Sequence, residues 1–406
     1  MRAFTQSRMR VQTLAATAAT LVAVIASGGA ACAEDAAPKP LSASTKITIT
    51  GHGWGHGHGM AQWGAQGAAL KGKTYNQILS FYYPGTKQGK AGGNVRALVS
   101  ADTTPDVVVQ ARTKLVARAL STGRAWDLTK LHPHATRFRI VPTTGGRTAL
   151  AYLTTGWHRM ATVNGDMTFY AKGQPIRLYL PHGSAEYRGT LRSTAPVKGK
   201  WNRDTVNILS LDNYLKGVVP GEVYPTWQPA ALRAQAIAAR SYAAFQRDAG
   251  GHGYYDVVDT TGDQVYKGYD AEVASTNAAV TATAGMVRTS GGKPAYTQFS
   301  ASNGGFMLKG SKPYLVSKKD PYDTKASGDK NVNWTRTLTV KQIQKAADVG
   351  KVVSMAVTKR VAGTGGRYVA EVTIVGTTRT AHPSGETLKS WFGLNSSWFD
   401  VSVPKS

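Results

Sequence analysis

Between Val95 and about Leu191 the chain is a succession of strand-length segments: VRALVS, DVVVQA, TKLVAR, RFRIV, TALAYL, IRLYL and YRGTLRS. Gly, Pro and Asn separate them. Short β-branched and aromatic runs punctuated by turn formers predict antiparallel β-structure, and a chain this rich in them cannot be a helical bundle. The alternating TKITIT (Thr45–Thr50) predicts one more strand, leading into a glycine-rich stretch. Helices are few. YNQILSFYYPGT (Tyr75–Thr86) has apolar residues at helical spacing and a Pro-Gly stop. The alanine-rich QPAALRAQAIAARSYAAFQRD should be a long helix to about Asp248, with Thr226 as its N-cap and Pro229 in its first turn. VKQIQKAADVG predicts another, and Gly291-Gly292 marks a hairpin turn. VAEVTIVG and WFDVSV close the chain, and no tandem repeat is visible. The fold class expected is α+β, with strand-rich antiparallel sheets and a few helices.

Residues 1–33 have the make-up of an export signal. Arg2, Arg8 and Arg10 precede an uncharged apolar run (Val11–Ala26) and an Ala31-Cys32-Ala33 cleavage site. The run is short and small-residued for a membrane span, so no stable span is expected after cleavage. A lipid anchor on Cys32 is the rival, but Gly29 stands where such a site wants Leu. Cys32 is the only cysteine of 406 residues, so cleavage would exclude disulfides and thiol chemistry. The full chain carries +26; loss of the signal removes three of 49 basic residues and none of 23 acidic ones, leaving +23. Such a charge on an exported chain suits a polyanionic wall. Nucleic acid is disfavoured by the export signal and by the lack of a helix with grouped Arg and Lys.

GHGWGHGHGMAQWGAQGA (Gly51–Ala68) is the least ordinary stretch. His52, His56 and His58 could hold zinc, yet neither cysteine nor a neighbouring carboxylate completes a shell. No register gives the dinucleotide fingerprint. Glycines at this density suit a backbone that passes close to something, where a Cβ would collide. Ser290-Gly-Gly-Lys293 matches S-x-x-K only formally, since it lies in a predicted turn.

GVVPGEVYP offers sharper chemistry. Glu222 is a lone carboxylate among Val218, Val219, Pro220, Val223, Tyr224 and Pro225, in a predicted turn before the long helix. Apolar surroundings raise a carboxyl pKa and make a general acid usable near neutral pH. The bland alternative is a solvated loop glutamate.

LDNYLKGVVPGEVYPTWQPAALRAQAIAARSYAA (Leu211–Ala244) resembles the signature of the stage II sporulation protein D / LytB amidase-enhancer (SpoIID/LytB) family. YRGTLRS, DTTGDQVYKGYDAE, TAGMVRTSGGKPAYTQFSASNGG, SGETLKSWFGLNSSWF and the glycine-histidine stretch agree with it, together covering most of residues 46–402. The resemblance implies a SpoIID-like fold. Its segments would be a signal (1–33), a mobile linker (34–45), the glycine-histidine part of the core (46–90), a β-rich domain (91–200) and a catalytic core (201–406). It further implies a secreted or wall-bound lytic transglycosylase acting on peptidoglycan glycan strands, with Glu222 catalytic. One carboxyl suffices for that reaction, because the muramic C6 hydroxyl replaces water and closes a 1,6-anhydro ring. An ordinary glycosidase needs two. Gln235, Arg240, Tyr242, Gln264, Tyr266, Ser300, Ser302, His56 and Gln62 would bind the glycan; Gln235 and Tyr242 share a helix face, and Arg240 does not. Where some relatives place a zinc-binding cysteine this chain has Asp263; a His252/Asp256/Asp263 site is conceivable, but neither metal nor cofactor is expected. The alternative role is a non-catalytic wall-binding enhancer whose partner is a cell-wall amidase. The family pattern puts the glycine-histidine motif last, whereas here it comes first. A circular permutation would explain this, with the Thr45–Thr50 and Phe399–Val403 strands side by side and His56 and Gln62 near Glu222.

Overall fold

The strand Lys46–Gly51 lies in the middle of a three-stranded antiparallel sheet, between Trp334–Thr339 and Phe399–Ser402. The computed structural model describes residues 39–197 and 202–404, so the expected signal and the first part of the expected linker lie outside it. Thr48 pairs with Ser402 and Gly51 with Phe399, which makes the early and late strands neighbours in one sheet. Alternation explains the placement: Ile47 and Ile49 point inward, fully buried, against Leu338, Ile343, Val372, Ile374 and Phe399. The expected mobile linker needs correcting over its last residues. Leu41 packs on this core and its N–H donates to the Val352 carbonyl at 2.8 Å, while the Ala43 and Thr45 carbonyls accept from Lys341 and Val340.

The strand-rich middle forms two larger sheets. Six strands run in the order 157–164, 147–153, 137–143, 107–110, 176–180, 183–187. Seven run in the order 257–258, 94–98, 204–210, 190–194, 167–170, 116–119, 125–127. Phe138, Ile140, Leu150 and Leu178 from the first meet Val95, Phe169, Leu191 and Leu209 from the second in one apolar core. The expected division after residue 200 does not mark a break in packing. It falls between Thr190–Thr194 and Asp204–Ser210, and the first of these pairs along its whole length with Asp204–Ile208 of the second. The architecture is α+β and strand-rich, with mainly antiparallel sheets.

The long helix runs from Pro229 to Asp248, with Gln228 rather than Thr226 at its N-cap and Pro229 at N1. Proline fits there because that N–H has no partner inside a helix. Small side chains let the helix serve two cores. Leu232, Ala236, Ala239 and Ala243 face the large one; Ala234, Ile237 and Ala238 face a third, with Met60, Ile78, Leu79 and Tyr82. The short helix Tyr75–Tyr82 and the helix Val340–Ala347 form as expected, each with a capping box. The Gly291-Gly292 turn, both residues at positive φ, joins Met286–Ser290 to Lys293–Pro294. Ser290 and Lys293 are therefore cross-strand partners, with no helix behind the serine. No helix among the described residues is long and apolar enough to cross a membrane.

Ile49 ties the early strand into its core, so Ile49→Ala should lower unfolding free energy by about 2–5 kcal/mol. A urea titration checks this; a midpoint unchanged from the parent would show that the strand contributes little.

Candidate active site

Glu222 is the last residue of a helix, not part of an irregular turn. Ser210 caps that helix by accepting the Asn213 N–H, and the helix runs Leu211–Glu222 with Pro220 inside its last turn. Proline lacks the N–H for an i−4 bond, yet the Val223 N–H still reaches the Val219 carbonyl at 3.0 Å. Glu222 Oε1 accepts the Val265 N–H at 2.7 Å, and Oε2 accepts from Gln62 Nε2 at 3.2 Å. Burial holds the Glu222 carboxyl above the usual carboxylate range, against the downward pull of Val265, Gln62 and Lys267. A position at a helix C-terminus also disfavours the anion.

Gln62 arrives through the glycine-histidine segment, which lies along residues 298–308. Met60–Ala61 pairs in parallel with Phe299–Ser300, Trp54 bridges Ser302, and His58 bridges Leu308. The Trp63 N–H donates to the Ala301 carbonyl at 3.0 Å. Gly57 and Gly59 have φ of +74° and +67°. A Cβ on Gly57 would strike the Tyr368 hydroxyl, and one on Gly59 the Gln298 carbonyl. The expected close backbone approach is real: Gly53 and Gly59 lie against main chain, Gly55 and Gly57 against the Ser300 and Tyr368 side chains.

The three histidines serve that docking. His52 Nδ1 lies 3.0 Å from the Val332 carbonyl and its ring packs on Trp398. His58 Nδ1 lies 3.2 Å from the Leu308 carbonyl. His56 Nδ1 accepts the His58 N–H at 2.9 Å, which leaves the proton of the neutral ring on Nε2. Burial, with His58 and Lys389 nearby, lowers the His56 pKa to about 3, so the ring is neutral under ordinary conditions. Among the described residues no three His, Cys, Asp or Glu side chains form a group able to hold a metal ion. Asp256 is taken by Arg96, through its N–H at 2.8 Å and its guanidinium at 3.0 and 2.5 Å.

Glu222, Gln62, His56, Tyr242 and Ser300 line one cleft of about 490 Å³. The Ser300 hydroxyl has no hydrogen-bond partner among the described residues. Two charged residues also line it: Lys389, which sequence reasoning missed, and Asp263, which it weighed only as a metal ligand. Asp263 is a second carboxylate, but its acceptor positions are filled. Oδ1 takes the Tyr242 hydroxyl at 2.8 Å and Gln246 at 2.9 Å; Oδ2 takes the Val258 N–H at 2.9 Å and lies 3.4 Å from His252 Nε2. Its side chain is only 4% exposed. Glu222 has one donor on each oxygen, whereas Asp263 has two on Oδ1, one on Oδ2 and a histidine nitrogen beside it.

A family model described as stage II sporulation protein matches residues 200–289, the stretch carrying both the Glu222 helix and Asp263. The amidase enhancer of Bacillus subtilis (strain 168) is 37% identical over 144 residues, 34% of this chain and 19% of that protein. The stage II sporulation protein D of the same organism is 30% identical over 230 residues, 50% of this chain and 64% of its own length. That of Bacillus amyloliquefaciens is 28% identical over 228 residues. The chain belongs to the SpoIID/LytB family. It spans just under two thirds of these stage II sporulation proteins D and about a fifth of the amidase enhancer.

Within this SpoIID/LytB chain several residues expected at the glycan surface belong to the scaffold instead. Arg240 is fully buried: it donates to Asp212 at 2.7 Å and to the Met286 and Val280 carbonyls, so its charge joins two helices and a strand. Gln264, also buried, donates to the Ala239 carbonyl and accepts from Tyr214. The Tyr266 hydroxyl donates to Asn207 at 2.7 Å, and the Ser302 hydroxyl to Asp323 at 2.9 Å. Gln235 is buried outside the cleft lining, and its amide has no hydrogen-bond partner among the described residues. Sequence spacing puts a residue on a helix face; it does not say whether that face meets the cleft or the core.

The glycine-histidine docking gives a direct test. Gly59→Ala combines a left-handed backbone with a collision against main chain, and should cost at least about 1–3 kcal/mol. Thermal unfolding checks this; an unchanged midpoint would mean that the segment is not held as described.

Proposed function

We propose that this chain is an exported peptidoglycan-cleaving enzyme, a lytic transglycosylase acting on glycan strands. The observation that carries the reading is Glu222: a carboxyl held protonatable by burial, with one oxygen on a main-chain N–H and the other on the Gln62 side of an open cleft. Because Oε1 already accepts the Val265 N–H, the proton belongs on Oε2. From there it passes to the glycosidic oxygen as the bond to C1 of the muramic residue breaks. The C6 hydroxyl of that residue then attacks C1, and its proton returns to the Glu222 carboxylate. The bond broken and the bond formed leave a 1,6-anhydro end, the acid is regenerated, and no water is consumed. His56 stays neutral and so adds no competing charge, and both Asp263 oxygens are engaged by protein donors.

The chain's +26 charge supports a wall polyanion as its surroundings. We further propose that the family order of segments is circularly permuted here, which the neighbouring Lys46–Gly51 and Phe399–Ser402 strands support. The 37% identity to the amidase enhancer favours a second reading, in which the same cleft only binds the wall and a cell-wall amidase does the cutting.

Digestion of peptide-free glycan strands, read by mass spectrometry, should give anhydro-muramic ends. Glu222→Gln should lower the rate by ~10²-fold or more, the usual scale for loss of a general acid–base. The required form is the protonated one, so the rate should fall as pH rises through the raised Glu222 pKa. That alkaline limb should lie above the ordinary glutamate value of about 4.3. A Glu222→Gln variant within tenfold of the parent, or a limb at the ordinary value, would remove Glu222 from the chemistry.

A further inference from the structure

A second hollow, of about 370 Å³, adjoins the cleft and shares Trp54, Gln62 and Glu222 with it. Glu222 therefore stands where the two meet. The walls of the second hollow are aromatic. Trp63, Tyr224 and Trp227 pack as a triangle, with ring centroids 4.7 Å apart for Trp63–Trp227, 5.6 Å for Trp63–Tyr224 and 5.7 Å for Tyr224–Trp227. Tyr224 is 60% exposed and Trp54 52%, the two most exposed of the chain's described aromatics that border either hollow. Pro220 and Pro225 stiffen the chain on either side of Glu222, Val223 and Tyr224.

Charge separates the two hollows. Lys389 lines the first, and among the described residues no Lys or Arg lines the second. Sugar rings present apolar C–H faces and polar edges. Aromatic faces with the Gln62 amide and Asn331 at the border match that pattern. A muramic ring carries a carboxylate and suits the Lys389 side; a ring without one suits the aromatic side.

We propose that Trp63, Tyr224 and Trp227 form a stacking subsite for an uncharged N-acetylhexosamine ring beside the bond broken at Glu222. The inference rests on the glycan-cleaving reading for its orientation. It is independent of that reading as a statement about binding.

The probe is chitotetraose, an uncharged oligomer of N-acetylglucosamine, titrated into the full chain carrying Glu222→Gln. Calorimetry gives the affinity, and tryptophan fluorescence reports directly because two platform rings are indoles. Tyr224→Ala should weaken binding about tenfold, which is ~1.4 kcal/mol, while Tyr224→Trp should keep it. Both should leave the thermal midpoint unchanged, since the side chain is largely exposed. Unchanged chitotetraose affinity in Tyr224→Ala overturns the subsite, as does a Glu222→Gln chain that binds no chitotetraose. Anhydro ends from glycan strands without chitotetraose binding sink the subsite alone. Chitotetraose binding that depends on Tyr224, without anhydro ends, supports the subsite and sinks the enzymatic reading alone.

Discussion

The cleft depends on one main-chain contact, the docking of the glycine-histidine segment along residues 298–308. Side chains on Gly53 or Gly59 would push the two backbones apart, and with them Gln62 from Glu222. The histidines between those glycines are the other half of the device: His52 reaches the Val332 carbonyl and His58 the Leu308 carbonyl, while His56 accepts the His58 N–H within the segment. The segment thus spends its polar groups on position, and that position delivers Gln62 within 3.2 Å of the catalytic candidate.

Electrostatics then divides the labour. Two carboxylates line one cleft, and their partners separate them. Glu222 sits at the negative end of a helix with one main-chain donor and one amide, and burial raises its carboxyl above the usual carboxylate range. Asp263 meets a hydroxyl, an amide and an N–H together. A group so engaged holds Tyr242 and Gln246 in place.

Much of this was legible in the sequence, for physical reasons that differ by element. Alternation in TKITIT placed Ile47 and Ile49 inward, and dense glycine announced a close backbone approach. Apolar flanks marked Glu222 as the unusual acid. Three features were not legible. Pro220 and the glycines hid a helix that tertiary packing sustains to Glu222. Arg240 is polar by type yet fully buried, because Asp212 and two carbonyls meet it across elements distant in sequence. Asp263 and Lys389 carry no local signal of the cleft; only the fold brings residues 263 and 389 to the same wall. Tyr224 and Trp227 were visible as apolar neighbours of Glu222, but their triangle with Trp63 needs a contact over 160 residues.

The central claim is that one carboxyl and the sugar's own hydroxyl do the chemistry, with water left out. Digestion of glycan strands in water enriched in oxygen-18 tests it most directly. The account predicts new ends that are anhydro and carry no heavy oxygen. Reducing ends labelled with oxygen-18 would show that water attacks, would give Asp263 or another group the role of base, and would contradict it.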